Sequence, residues 1–277
     1  MLLAWQAVVL GLVEGITEYL PISSTGHLIL VESLLGLGGE DTKPALDAFS
    51  IVIQGGAILA VLGLYFQRVL SMLRGVLGSD PTGLRLLLNL LVAFVPSVVV
   101  GLPLDKWIER HLFHPLPVLL TLAAGGLFMI VYDRRLRSGT RTIDELDWRH
   151  ALGIGALQCL ALWPGTSRSM VVIVGGLLFG LRPRDAAEFS FLLGLPTLGG
   201  ACAYKALKEH HAIAQLGVTP VAIGIAVAAI SAALAVRWLV SFLNRRGLAP
   251  FGWYRLALSA ALLVCLGLGW VQFGGLS

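Results

Sequence analysis

The chain has 277 residues, 57% of them apolar and only 13% charged, with a net charge of +4. Soluble domains carry about 25% charged residues, so a water-facing surface cannot be furnished, and an ordinary soluble enzyme, a disordered chain and a nucleic-acid binder are excluded. The basic residues fall in short loops between apolar runs, as membrane-topology signals do, and the length suits one membrane domain.

In chain order, apolar segments of helical length lie near 3–20, 24–37, 46–66, 84–104, 116–132, 149–163, 167–181, 186–205, 217–240 and 251–273. A spanning helix needs about 20 residues. Five segments (46–66, 84–104, 186–205, 217–240, 251–273) reach that length, and 116–132 does so marginally. The other four are short and form two pairs, each broken by a Pro-containing polar turn. The amino-terminal run lacks a basic leader and a small-residue cleavage site, so it reads as part of the fold and not as a signal peptide. Cys159, Cys202 and Cys265 sit in apolar runs with no paired spacing, and read as packing residues.

The two polar turns are alike. Leu20-Pro21-Ile22-Ser23-Ser24-Thr25-Gly26 aligns with Trp163-Pro164-Gly165-Thr166-Ser167-Arg168-Ser169 at an offset of 143. Ala48-Phe49-Ser50 aligns with Glu188-Phe189-Ser190 at 140, and Pro115 with Pro250 at 135. Three matches in the same order suggest an internal duplication, with repeats over 1–137 and 145–277. The predicted fold is therefore an all-α polytopic membrane protein. Each half has one re-entrant helix hairpin (about 3–37 and 149–181) and three transmembrane helices. An odd number of spans inverts the second half. On that topology 13 of the 20 Lys/Arg fall on one face and 5 on the other, with Arg168 and Arg255 left within apolar surroundings. The richer face is expected to be cytoplasmic, with both termini and the mouth of the first hairpin outside.

The chemistry concentrates in the hairpins. Glu14 and Glu18 are four apart, on one face of a helix. Buried carboxylates in a membrane must be paired, protonated or metal-bound, and two together suit a hard divalent cation. Ser23, Ser24 and Thr25 after Pro21 form a helix N-cap signature, and a helix N-terminus attracts phosphate. His27, close to these groups, is a candidate acid or base. The second turn, Gly165-Thr166-Ser167-Arg168-Ser169, adds hydroxyls and a guanidinium suited to gripping phosphate. Brought together at the midplane, the two turns would form a pocket for a multiply charged anion, most simply a pyrophosphate. Gln54 and Glu188 are candidate supporting groups.

The stretch Glu14-Gly15-Ile16-Thr17-Glu18-Tyr19-Leu20-Pro21-Ile22-Ser23-Ser24-Thr25-Gly26-His27 resembles the signature of the undecaprenyl-pyrophosphate phosphatases, the bacterial bacitracin-resistance family. Pro164 to Ser169, Phe49 to Leu59 and Glu188 to Pro196 are also similar to that family, which departs at Thr166 (often aromatic) and Met170 (often Gly). The resemblance implies removal of the terminal phosphate of undecaprenyl pyrophosphate in the inner membrane, which recycles the lipid carrier of cell-wall synthesis. It implies a divalent cation, Mg²⁺ or Ca²⁺, on Glu14 and Glu18. It carries catalytic roles to Glu14, Glu18, Ser24, His27 and Arg168, and substrate-binding roles to Ser23, Thr25 and Ser167, with Thr166 and Gln54 beside them. Ser24 is then nucleophile or donor to an attacking water, and His27 activates it or protonates the leaving group. A rival expectation is a carrier or flippase for a phosphorylated polyprenyl lipid, since transporters share the inverted-repeat plan. Gly-rich stretches at 55–63 and 175–180 permit close helix packing within one chain or between two, so a homodimer stays open.

Overall fold

The computed structural model describes residues 2–37, 43–136, 139–208 and 210–270. The first hairpin is α1 (Ala4–Thr17) and α2 (Ser24–Leu34), followed by α3 (Lys43–Leu64), α4 (Phe66–Val76), α5 (Pro81–Leu112) and α6 (Pro115–Leu136). The second is α7 (Trp148–Gln158), a 3-10 turn (Cys159–Leu162) and α8 (Arg168–Leu178), followed by α9 (Pro183–Lys208), α10 (His210–Gln215), α11 (Val218–Arg246) and α12 (Ala249–Gly267). Among the described residues there is no strand beyond one isolated bridge, Arg141 to Leu181.

Six helices, α3, α5, α6, α9, α11 and α12, are long and apolar enough to cross a membrane. This is an all-α polytopic membrane protein with three such helices in each half, as expected. At 14 and 11 residues, α1 and α8 rise only about 21 and 16 Å, short of a bilayer core of about 30 Å. Each ends or begins at a polar turn inside the protein. The segment expected at 84–104 is longer: α5 runs over 32 residues with Pro96 and Pro103 inside it. The amphipathic α4 and the short α10 were not expected, because neither carries a span-length apolar run. The predicted repeat boundary at 137 and the last residues of the segment 251–273 lie outside the described residues.

The two halves interlock. The first hairpin's α1 packs against α11 of the second half, while the second hairpin's α7 packs against α5 of the first; α6 pairs with α12, and α8 with α9. Asp147 starts α7 by accepting from the amides of His150 and Arg149 at 3.0 and 2.9 Å. The His150 amide is the main cause that holds this loop carboxyl below its usual range. The main core holds Tyr19, Met129, Phe189, Phe191 and Leu239, contributed by both halves. It surrounds the inner ends of the hairpins.

Close approach of α1 to α11 rests on Gly15. A Cβ there would stand 2.0 Å from Ser231 Oγ and 2.4 Å from the Ala228 carbonyl oxygen. The carbonyl belongs to the backbone and cannot swing away. Gly15→Ala is therefore expected to cost about 1–3 kcal/mol by overpacking, seen as a melting midpoint lowered by several degrees in detergent. An unchanged midpoint would contradict this contact.

Candidate active site

The two polar turns share an unusual backbone. Ser23 has φ 71° and ψ 99°, and Ser167 has φ 74° and ψ 110°; among the described residues they are the two non-glycine residues with positive φ. Such conformations cost of order 1–3 kcal/mol and concentrate at functional sites. Each serine immediately precedes an 11-residue helix, so Ser24 and Arg168 are the first residues of α2 and α8. Structural equivalence is thus Ser23 with Ser167, at an offset of 144. The shared conformation pairs the serines one residue away from the sequence alignment at 143; the second turn, which holds Gly165 with φ 87°, is one residue longer between its proline and its serine. The N-cap expectation also needs amending. Ser167 Oγ accepts from the Met170 amide at 3.3 Å, whereas the Ser23 side chain makes no capping bond.

Both first residues reach one carboxylate. Glu18 stands at the C-terminus of α1, only 7% exposed. Ser24 Oγ donates to its Oε2 at 2.9 Å, and Arg168 Nη2 donates to its Oε1 at 3.2 Å. Arg168 Nη1 donates to the Ser190 carbonyl at 2.8 Å, and the guanidinium lies 5.3 Å from the centre of the Tyr19 ring. On α9, a Cβ at Gly194 would come within 3.1 Å of both guanidinium nitrogens, so this glycine makes room for the arginine. Ser169 Oγ donates to the Leu20 carbonyl at 2.7 Å and tethers the turns directly. Glu14, one turn before Glu18, is buried, and its Oε2 has no hydrogen-bond partner.

The remaining candidates are placed as follows. The His27 ring nitrogens bond to groups other than the Ser24 hydroxyl: Nδ1 lies 2.7 Å from the Ser23 carbonyl oxygen and Nε2 2.7 Å from the Tyr254 hydroxyl. Ser167 Oγ is 3.0 Å from Ser169 Oγ. Thr166 gives its carbonyl to Arg255 at 2.9 Å, while its own hydroxyl is buried without a partner. Thr25, one residue on from Ser24, is partly buried. Gln54 Oε1 accepts from Cys202 Sγ at 3.0 Å. Glu188 belongs elsewhere. It accepts from Arg68 Nε at 2.7 Å and lines a separate polar cavity of about 350 Å³ with Asp144, Arg182 and Arg184.

Three groups escaped the sequence reading as contributors. Arg255, fully buried, donates to the carbonyls of Thr121, Leu122, Gly165 and Thr166 at 2.9–3.0 Å. Ser169 and Tyr254 reach across between elements far apart in sequence. An arginine within an apolar run was the available signal for the first; Ser169 stood inside the second polar turn without a role of its own, and nothing in the sequence signals Tyr254.

Glu14 and Glu18 offer only hard oxygen donors, and Glu14 Oε2 is an orphaned one. No group of three or more His, Cys, Asp or Glu that could hold a metal occurs among the described residues, which argues against a zinc centre. A cation such as Mg²⁺ keeps its waters and takes phosphate oxygens alongside one or two protein carboxylates. This donor pair fits such an ion.

The family profile of the bacitracin resistance protein BacA matches residues 7–261. A protein named undecaprenyl-diphosphatase from Azotobacter vinelandii is 46% identical over 273 residues, covering 98% of this chain and 97% of the relative. Proteins of the same name from Sorangium cellulosum and Pseudomonas putida are 47% and 44% identical, over 94% and 98% of this chain and 85% and 96% of their own.

An unpaired buried carboxylate oxygen is destabilising unless something binds it. In the presence of chelator, Glu14→Gln is therefore expected to raise the melting midpoint in detergent, by about 1–3 kcal/mol of stability. A lowered midpoint would show that the Glu14 charge is compensated within the protein.

Proposed function

The chain belongs to the bacitracin resistance protein BacA family, and on that premise we propose that it is an integral-membrane undecaprenyl-diphosphatase. It converts undecaprenyl pyrophosphate to undecaprenyl phosphate and inorganic phosphate. The observation that carries this reading is the convergence of two helix N-termini, a serine hydroxyl and a guanidinium on one buried carboxylate, Glu18.

Diphosphate oxygens accept from the Arg168 guanidinium and from the free N–H groups at the starts of α2 and α8, where the helix dipoles are positive. Ser24 Oγ already donates to Glu18 at 2.9 Å, so Glu18 is placed to take its proton. The Ser24 oxygen then forms a bond to the terminal phosphorus while the P–O bond to the lipid phosphate breaks, and the polyprenyl phosphate leaves. Water subsequently releases phosphate from Ser24, and the proton returns through Glu18. Glu14 and Glu18 would hold a divalent cation, Mg²⁺ or Ca²⁺, whose charge neutralises the phosphate oxygens. The carrier alternative gains nothing from a hydroxyl aimed at a base.

The protein sits in the bacterial inner membrane as a multi-pass chain. Its Arg-rich face is cytoplasmic by the charge rule, and its termini and first hairpin mouth are outside. The matching order of elements in the halves, the shared turn conformation and the reciprocal α1–α11 and α7–α5 packing support an inverted repeat.

The test is phosphate release from a polyprenyl pyrophosphate by purified protein in detergent, where no gradient exists. Turnover is expected with Mg²⁺ and lost with chelator. Arg168→Ala is expected to lower kcat by about 10²–10³-fold, and Glu18→Gln by at least as much. Ser24→Ala is expected to abolish both turnover and phosphoryl trapping. Well-folded wild type that binds the lipid without turnover would sink the reading.

A further inference from the structure

We propose that two adjacent residues of α12, Tyr254 and Arg255, form a brace that sets the two polar turns against each other. In it, Tyr254 is a positioning residue acting through His27. The proposal rests on the reading of the Glu18 junction given above.

The hydrogen-bond directions follow from chemistry. A carbonyl oxygen only accepts, so the 2.7 Å contact between His27 Nδ1 and the Ser23 carbonyl puts the hydrogen on Nδ1. In a neutral imidazole Nε2 is then the acceptor, and the Tyr254 hydroxyl at 2.7 Å is its donor. The two rings lie nearly parallel, 4° apart in plane with centroids 5.6 Å apart. With both nitrogens engaged, His27 has none left for the Ser24 hydroxyl. Its work here is to hold a carbonyl.

That carbonyl belongs to Ser23, whose positive φ has no side-chain cap to support it. The Ser23–Ser24 peptide plane fixes where Ser24 Oγ points, so the chain from Tyr254 through His27 to Ser23 fixes the hydroxyl against Glu18. Arg255 does the equivalent for the other turn. It binds the carbonyls of Gly165 and Thr166 at 2.9 Å, just before the strained Ser167 and the functional Arg168. It also binds the carbonyls of Thr121 and Leu122 on α6 at 3.0 Å. Helix α12 is itself seated on α6 by glycines: a Cβ at Gly252 would stand 2.5 Å from the Gly126 carbonyl oxygen. Successive residues of one helix therefore act on the backbone of the two turns, Tyr254 through His27 and Arg255 directly, and the separation of hydroxyl and guanidinium follows from them.

Tyr254→Phe keeps the ring stack and removes only the donor. We expect kcat to fall about 10-fold, the loss of one hydrogen bond, with KM within twofold and the melting midpoint unchanged. In ¹⁵N spectra of histidine-labelled protein, the wild type should show His27 as the Nδ1–H tautomer, and the variant a tautomer mixture. Arg255→Lys, which cannot fork to four carbonyls, should lower kcat further. Wild-type kcat in Tyr254→Phe, or a fall in kcat with unaltered His27 signals, overturns the proposal, as does a wild-type Nε2–H tautomer. The nitrogen spectra do not depend on turnover. An inactive wild type would therefore remove the phosphatase reading while the His27 geometry is still tested.

Discussion

The constraint on which the site depends is the burial of a carboxylate, Glu18, inside a membrane domain. A carboxylate there is costly unless polar partners are brought to it. Two donors offset that cost, a hydroxyl from one helix start and a guanidinium from another, each 2.9–3.2 Å away. Because both donors are first residues of short helices, the carboxylate also meets the positive ends of two helix dipoles. The same features that make the charge tolerable make the place attractive to a diphosphate. The substrate needs positive potential, and the resting site holds that potential in balance with one negative side chain.

Stability and function separate cleanly at Glu14. Its orphaned oxygen is a liability to the fold and an asset to the cation site proposed above. The strained serines are of the same kind. Neither Ser23 nor Ser167 has the glycine that positive φ favours. Both are held by partners around them, Ser167 by its own cap and by the Arg255-bound carbonyls just before it, and Ser23 by His27.

Much of this was legible in the sequence, for identifiable reasons. Span-length apolar runs dictated α3, α5, α6, α9, α11 and α12, and buried charges in short broken helices marked Glu14, Glu18 and Arg168. Local pattern could not reveal geometry that depends on distant segments. His27 sits near Ser24 in sequence, yet its ring turns to Tyr254, 227 residues away. Arg255 was visible as an arginine in an apolar run, but its partners are all main-chain carbonyls and carry no side-chain signature. The one-residue slip at the second turn is a property of φ, which identity matching does not see. Glu188 read as a supporting group beside the hairpins until the fold gave it Arg68.

The pair formed by Arg168 and Glu18 joins residues 150 positions apart. At a synthesis rate of about 5–20 residues per second, Glu18 is made roughly 8–30 seconds before Arg168. During that interval the first hairpin's three carboxylates, Glu14, Glu18 and Glu32, stand without the guanidinium that later pairs with Glu18, and α9 and α11 have not been made. The three long helices of the first half can integrate as they emerge, but the amino-terminal hairpin has its resting place only after the second turn arrives. The first segment translated is among the last to be seated.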